Sequence, residues 1–147
     1  MTTQQLIVDL ENEPGRLFTV AGAVAAAGIN VYATTLTDNG RTGSARLLVS
    51  DVRRARAVVM ELDVPARMEE VLVVVLPDVP GGLAELLEPL FDDYVNILQF
   101  SAFAQRDGAA IAVMRFSDNR FAEGILREHG YETVDPAKLF HTPEESQ

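Results

Sequence analysis

The chain has 147 residues, of which 48% are hydrophobic, with a formal net charge of −10 and no cysteine. That balance belongs to a folding chain, and an acidic surface repels phosphate backbones, which argues against nucleic-acid binding. The absence of thiols excludes disulfides, thiol nucleophiles and sulfur-ligated metal.

Leu6, Val8 and Leu10 alternate with Gln5, Ile7 and Asp9, the pattern of a half-buried strand. Pro14 is placed to open a helix at its first position, where a missing N–H costs nothing. Leu17, Val20, Ala21 and Val24 then recur at helical spacing, and Gly28 ends the helix in a left-handed conformation. Val31 to Thr37 is rich in β-branched residues and reads as a strand. Asp38-Asn39-Gly40 is a hairpin turn leading to a strand at Ala45 to Val49. Ser50 or Asp51 can cap a second helix with the stripe Val52, Ala55, Val59 and Leu62. Ala66 to Met68 reads as a short fourth strand. Arg53, Arg54 and Arg56, the densest basic run, fall on the second helix and read as a solvated face.

The same order follows again: a strand at Leu72 to Leu76, then a helix with Leu83, Leu86, Leu87 and Leu90. Next come a strand at Ile97 to Phe103, a turn at Asp107-Gly108 and a strand at Ala109 to Phe116. Asp118 can cap a helix carrying Phe121, Ile125 and Leu126, and Thr133-Val134 is a candidate last strand. Pro89 should bend or shorten its helix. The order is a repeat: Pro14 and Pro80 stand 66 apart, as do Asn30 and Asn96, while Ser50-Asp51 and Ser117-Asp118 stand 67 apart.

Each half therefore reads βαββαβ. The fold class is α+β: two ferredoxin-like repeats, each an antiparallel sheet with its helices on one face. Residues 1–68 form the first repeat, 69–134 the second, and 135–147 a mobile acidic tail. The polar start, Met1 to Gln5, has no signal-peptide pattern, and no apolar run approaches the ~20 residues that cross a bilayer, so a soluble cytoplasmic protein is expected.

The halves differ on the sheet face away from the helices. Gln5, Ile7 and Asp9 become Val71, Val73 and Val75, and Ser44, Arg46 and Leu48 become Ile111, Val113 and Arg115. An apolar face left in water is an interface, so a homodimer joined through the second sheet is expected.

The strand-to-helix turn carries the candidate site. At Asn12-Glu13-Pro14-Gly15-Arg16-Leu17, Gly15 lets another molecule approach the main chain. The helix that follows points its N–H groups and positive dipole end outward, which suits a carboxylate. Asn30-Val31 opens the neighbouring strand, expected at or near the same end of the sheet. An asparagine amide meets both the ammonium and the carboxylate of an amino acid. The second copy of the site is Asp78, Pro80, Gly81, Gly82 and Leu83 with Asn96-Ile97.

The strand, Glu11 to Leu17, the helix, and then Gly28-Ile29-Asn30-Val31 together resemble the ACT domain, a regulatory module that binds amino acids. The second half resembles a more divergent copy. The resemblance implies an amino acid held at a domain or subunit interface, with Asn12 and Asn30 as ligand contacts and Asp78 and Asn96 at the aligned places. Serine-binding members carry a histidine where this chain has Leu10 and Leu76, so a less polar amino acid is expected as readily as serine. The implied function is an amino-acid-binding sensor that passes its state to a metabolic enzyme or regulator. The alternatives are a scaffold with decayed ligand sites, or a regulatory subunit of an amino-acid biosynthetic enzyme. No enzyme, cofactor or metal is expected: His129 and His141 are the only histidines, and no serine has an evident histidine-acid partner.

Overall fold

The computed structural model describes residues 2–11, 15–38, 40–105 and 108–139. The chain forms two compact units, Gln4–Glu69 and a second built on the chain from Glu70 together with Thr2 and Thr3.

In the first unit, β1 (Thr3–Glu11), α1 (Arg16–Ala26), β2 (Val31–Asp38), β3 (Thr42–Val49) and α2 (Val52–Met60) precede β4 (Ala66–Pro77). The sheet order is β2-β3-β1-β4, with β1 and β2 each antiparallel to β3. One sheet face and the two helices enclose Leu6, Val8, Leu10, Val20, Val24, Ala45, Leu47, Val49, Ala55 and Val59. Each fully buried valine or leucine among them contributes roughly 1.5–3 kcal/mol.

The second unit uses the later residues of β4, then α3 (Gly82–Asp92), β5 (Ile97–Ala104), β6 (Ala109–Phe116), α4 (Asn119–Glu128) and α5 (Pro136–Leu139). Its sheet runs β4-β6-β5, and its core gathers Leu72, Val74, Leu86, Leu90, Ala112, Met114, Phe116, Ile125 and Leu126. The duplication reaches the backbone: the register of β2 slips between Val31 and Ala33, and that of β5 between Ile97 and Gln99, at matching positions. Asp51 and Asp118 cap α2 and α4 in the same way, accepting from the N–H groups of Arg54 and Phe121. Among the described residues no helix is long and apolar enough to cross a membrane.

Several expectations change. Ala66–Met68 and Leu72–Leu76 are parts of one twelve-residue strand, β4, and the seam between the units lies within it. A strand need not end where its pairing partner does. The first residues of β4 line the first sheet, and Val71 onward the second. At the other end, Thr133 makes a single bridge to Val74 in place of a strand, and the Val134 N–H donates to the Val73 carbonyl. Of the expected tail over 135–147, the described part carries α5, whose Pro136 is buried, and residues 140–147 lie outside the described residues. Pro89 does not shorten α3, which has 11 residues like α1. Phe121 faces solvent while its helix buries Ala122, Ile125 and Leu126.

The largest correction concerns the second sheet. The face expected to await a partner chain is already buried in the single chain: Val71, Val73 and Ile111 are 0% exposed and Val113 is 4%. In the first unit Gln5, Ile7 and Leu48 on the corresponding face are buried as well. The Gln5 amide donates to Glu69 Oε1 at 3.1 Å, which satisfies a polar group that burial would otherwise penalise. Strands apolar on both sides are indeed covered on both sides, but without a second copy.

Candidate functional site

The two strand-to-helix turns share one construction. Gly15 caps α1 at φ 88° and ψ −4°, and Gly81 caps α3 at φ 85° and ψ −9°. Both lie in the left-handed region that disfavours a Cβ. Neither helix start receives a side-chain cap. α1 therefore begins at Arg16 and α3 at Gly82, each directly after its glycine. Among the described residues, a Cβ built on Gly15 or Gly81 meets nothing within 4 Å. Gly82 differs: its Cβ would lie 2.5 Å from the Pro77 carbonyl oxygen, and its glycine is a packing requirement.

Arg16 and Leu17 stand in the first turn of α1. The Arg16 guanidinium pairs with Glu11 Oε2 at 3.1 Å, tying the helix start to the end of β1. Glu11, Arg16 and Leu17 border a small cleft of about 110 Å³ with Leu10, Leu36, Asp38 and Gly43. In the second repeat Asp78, Pro80, Gly81 and Leu83 are exposed, and the Asp78 N–H donates to the Gly108 carbonyl at 2.8 Å. Asn12, Glu13 and Pro14, like the turn residues Asn39 and Asp107, lie outside the described residues.

Asn30 and Val31 do not join the tip within one repeat. Glu11 pairs with Thr42 and Val31 with Val49, so they mark opposite ends of β3. At ~3.3 Å per residue those ends are roughly 23 Å apart. There the Asn30 N–H donates to Ser50 Oγ, and its carbonyl accepts from the Ser50 N–H, both at 2.9 Å. Asn96 and Ile97 are likewise at the far end of β6, and the Asn96 carbonyl accepts from the Ser117 N–H at 3.1 Å. Asn30 does not open the neighbouring strand either: β3 lies between β1 and β2, and since both are antiparallel to β3 they run parallel to each other, so β2 starts at the end where β1 started.

A larger cleft, of about 510 Å³, opens at the tip end of the first sheet. It is lined by Asp9, Leu10, Glu11, Thr37, Thr42, Gly43, Ser44, Pro65 and Arg67. Asp9 lies opposite Ser44, and Ser44 opposite Thr37, so three polar residues form a row across β1, β3 and β2. Arg67 Nη1 reaches the Asp9 carboxylate at 3.4 Å, with about half of each side chain exposed. Sequence reasoning noted the polarity of Asp9 and Ser44 but not a pocket, and it passed over Arg67 and Thr37. The signal was the contrast with Val75 and Ile111. His129 sits at the C-cap of α4, with Nδ1 2.9 Å from the Ile125 carbonyl oxygen. Among the described residues no group of three or more acids and histidines is placed to hold a metal ion.

The ACT domain pair family matches residues 1–140. The crystal structure of protein BT0572 from Bacteroides thetaiotaomicron superimposes with a TM-score of 0.90 at 29% identity, over 97% of this chain and 98% of that one. The ligand-free regulatory subunit of aspartate kinase from Thermus thermophilus gives 0.63 at 16% identity, over 86% and 93%. A structure of aspartokinase alpha and beta subunits gives 0.56 at 18%, over 86% and 95%. The likeness to these last two is one of fold. No curated protein matches the sequence. With the duplicated βαββαβ order, the repeated glycine tips and a match over almost its whole length, this chain belongs to the ACT domain pair family.

Proposed function

We propose that this protein is an amino-acid-binding regulatory protein whose ligand binds at the tip end of the first repeat. The observation that carries the reading is the pair of uncapped, glycine-fronted helix starts, repeated at Gly15 and Gly81 in a member of this family. Such a start presents N–H groups and a positive dipole end to a carboxylate. The first repeat is the stronger candidate. Its α1 opens with Arg16 and has no acid in the first turn, whereas α3 carries Glu85 there, which repels an anion. That a regulatory subunit of aspartate kinase has the same fold fits a chain that regulates and does not catalyse.

Asn30 and Val31 enter this site only if a second copy of the chain brings its far strand end to the tip. The ligand then bridges two copies and favours one arrangement by its differential affinity. The listening partner is a metabolic enzyme or a regulator in the cell interior.

Isothermal titration of the full chain against each of the twenty amino acids tests the reading. Saturable binding of at least one at millimolar concentration or tighter is expected. Gly15→Val should weaken it, because a β-branched residue is strained at positive φ and crowds the tip. No binding by any of the twenty would remove the sensor function.

A further inference from the structure

We infer that the head group of the ligand is held in the 510 Å³ cleft of the first repeat, by Asp9 and Arg67, and that each chain has one such site. The inference rests on the amino-acid-binding reading above, moves the carboxylate contact from the start of α1 to Arg67 on the sheet face away from the helices, and adds the stoichiometry.

The cleft volume is within the range of small-molecule sites. Its charges match a zwitterion. Asp9 offers an acceptor for an ammonium, and Arg67 a planar donor pair for a carboxylate. Glu11, the other acid in the lining, is engaged by Arg16 at 3.1 Å, so the remaining cleft is balanced at one charge of each sign. A neutral amino acid suits that balance, whereas an acidic one would add an unmatched negative charge. The Asp9–Arg67 pair is long, at 3.4 Å, and half exposed, a contact worth little to folding. Inserting a zwitterion exchanges that one weak pair for two.

The row Thr37–Ser44–Asp9 sets the direction of the ligand. Adjacent strands lie about 4.8 Å apart, so Ser44 stands one strand spacing from Asp9, within reach of a short side chain, and Thr37 lies roughly 10 Å away at the end of the row. With the ammonium at Asp9, the ligand side chain points toward the hydroxyls of Ser44 and Thr37. A small, neutral, hydrogen-bonding side chain is therefore the best match.

The duplication supplies an internal control. In the second repeat Val75 is opposite Ile111, and Ile111 opposite Phe103, so the same row reads Phe103–Ile111–Val75. Arg67 maps onto Val134 at the offset of 67. The fold tolerates an apolar row at this place, so the polar row of the first repeat is not required for folding. The second repeat has no charge there to meet a zwitterion.

The test is calorimetry on the full chain with the amino acid that binds in a panel of the twenty. A stoichiometry of one ligand per chain is expected. Asp9→Asn and Arg67→Gln should each weaken binding roughly tenfold or more, with melting temperatures within about 2 °C of the parent. Ser44→Ile, which copies the second repeat's residue, should abolish binding in a folded chain. The N-acetyl and the carboxamide forms of the same amino acid each lack one charge and should fail to bind. Two ligands per chain would overturn the proposal. So would unchanged affinity in Asp9→Asn and Arg67→Gln; if Gly15→Val still abolished binding, the sensor reading would stand without this cleft. A parent chain that binds none of the twenty removes both.

Discussion

Glycines illustrate how little a residue's identity says without its surroundings. Gly22 lies within α1, and a Cβ there would meet nothing within 4 Å. Gly82 begins α3, buried against the Pro77 carbonyl. Gly22→Ala should stabilise the protein by about 0.5–1 kcal/mol, since a mid-helix glycine loses more backbone entropy on folding. Gly82→Ala should destabilise it by about 1–3 kcal/mol, because the carbonyl is backbone and cannot swing aside. Urea unfolding of the two variants beside the parent reads both signs. Tyr94 makes the reverse point. It stands 66 positions after Gly28, at the same helix exit, and takes φ 54° where Gly28 takes 77°. The repeat keeps the left-handed turn although the residue best suited to it is gone. The glycine tips at Gly15 and Gly81 were legible in the sequence because left-handed backbone leaves a compositional mark. The row Thr37–Ser44–Asp9 was not, since three single polar residues in three strands look ordinary until the register aligns them.

Helices and strands were legible wherever local chemistry sets their limits. Asp51 and Asp118 were readable as caps because a carboxylate at that place accepts from an N–H three residues on, as both do here at 3.0–3.1 Å. Asp118→Ala should cost about 1 kcal/mol, measured as a lower denaturation midpoint with unchanged slope. Where an element ends through pairing, the sequence was silent. Nothing between Met68 and Leu72 announces that β4 is continuous: Glu69, Glu70 and Val71 are an acid pair and a valine. Nor does Pro136 announce a helix, although proline is a favoured first residue of one. The direction of β2 was available in principle, because a helical crossover imposes parallel strands. Applying it would have placed Asn30 far from Gly15.

In the whole molecule, the decisive observation is the burial of both faces of the second sheet's central strands. Val73 was expected at a seam between copies; in fact it is 0% exposed within one chain. Val73→Glu should therefore act as a core substitution. It should cost about 3 kcal/mol or more and lower the melting temperature steeply. A folded variant with parental stability and an altered sedimentation coefficient would restore the seam. The duplication, the αβ order, the helix caps and the membership of a family built from paired ACT domains were all determined along the chain, since spacing, capping and left-handed turns are local properties. Which polar groups meet, which apolar face is already covered, and which end of each sheet a residue occupies were settled only on folding. Strand direction, register and burial depend on partners that lie tens of residues away.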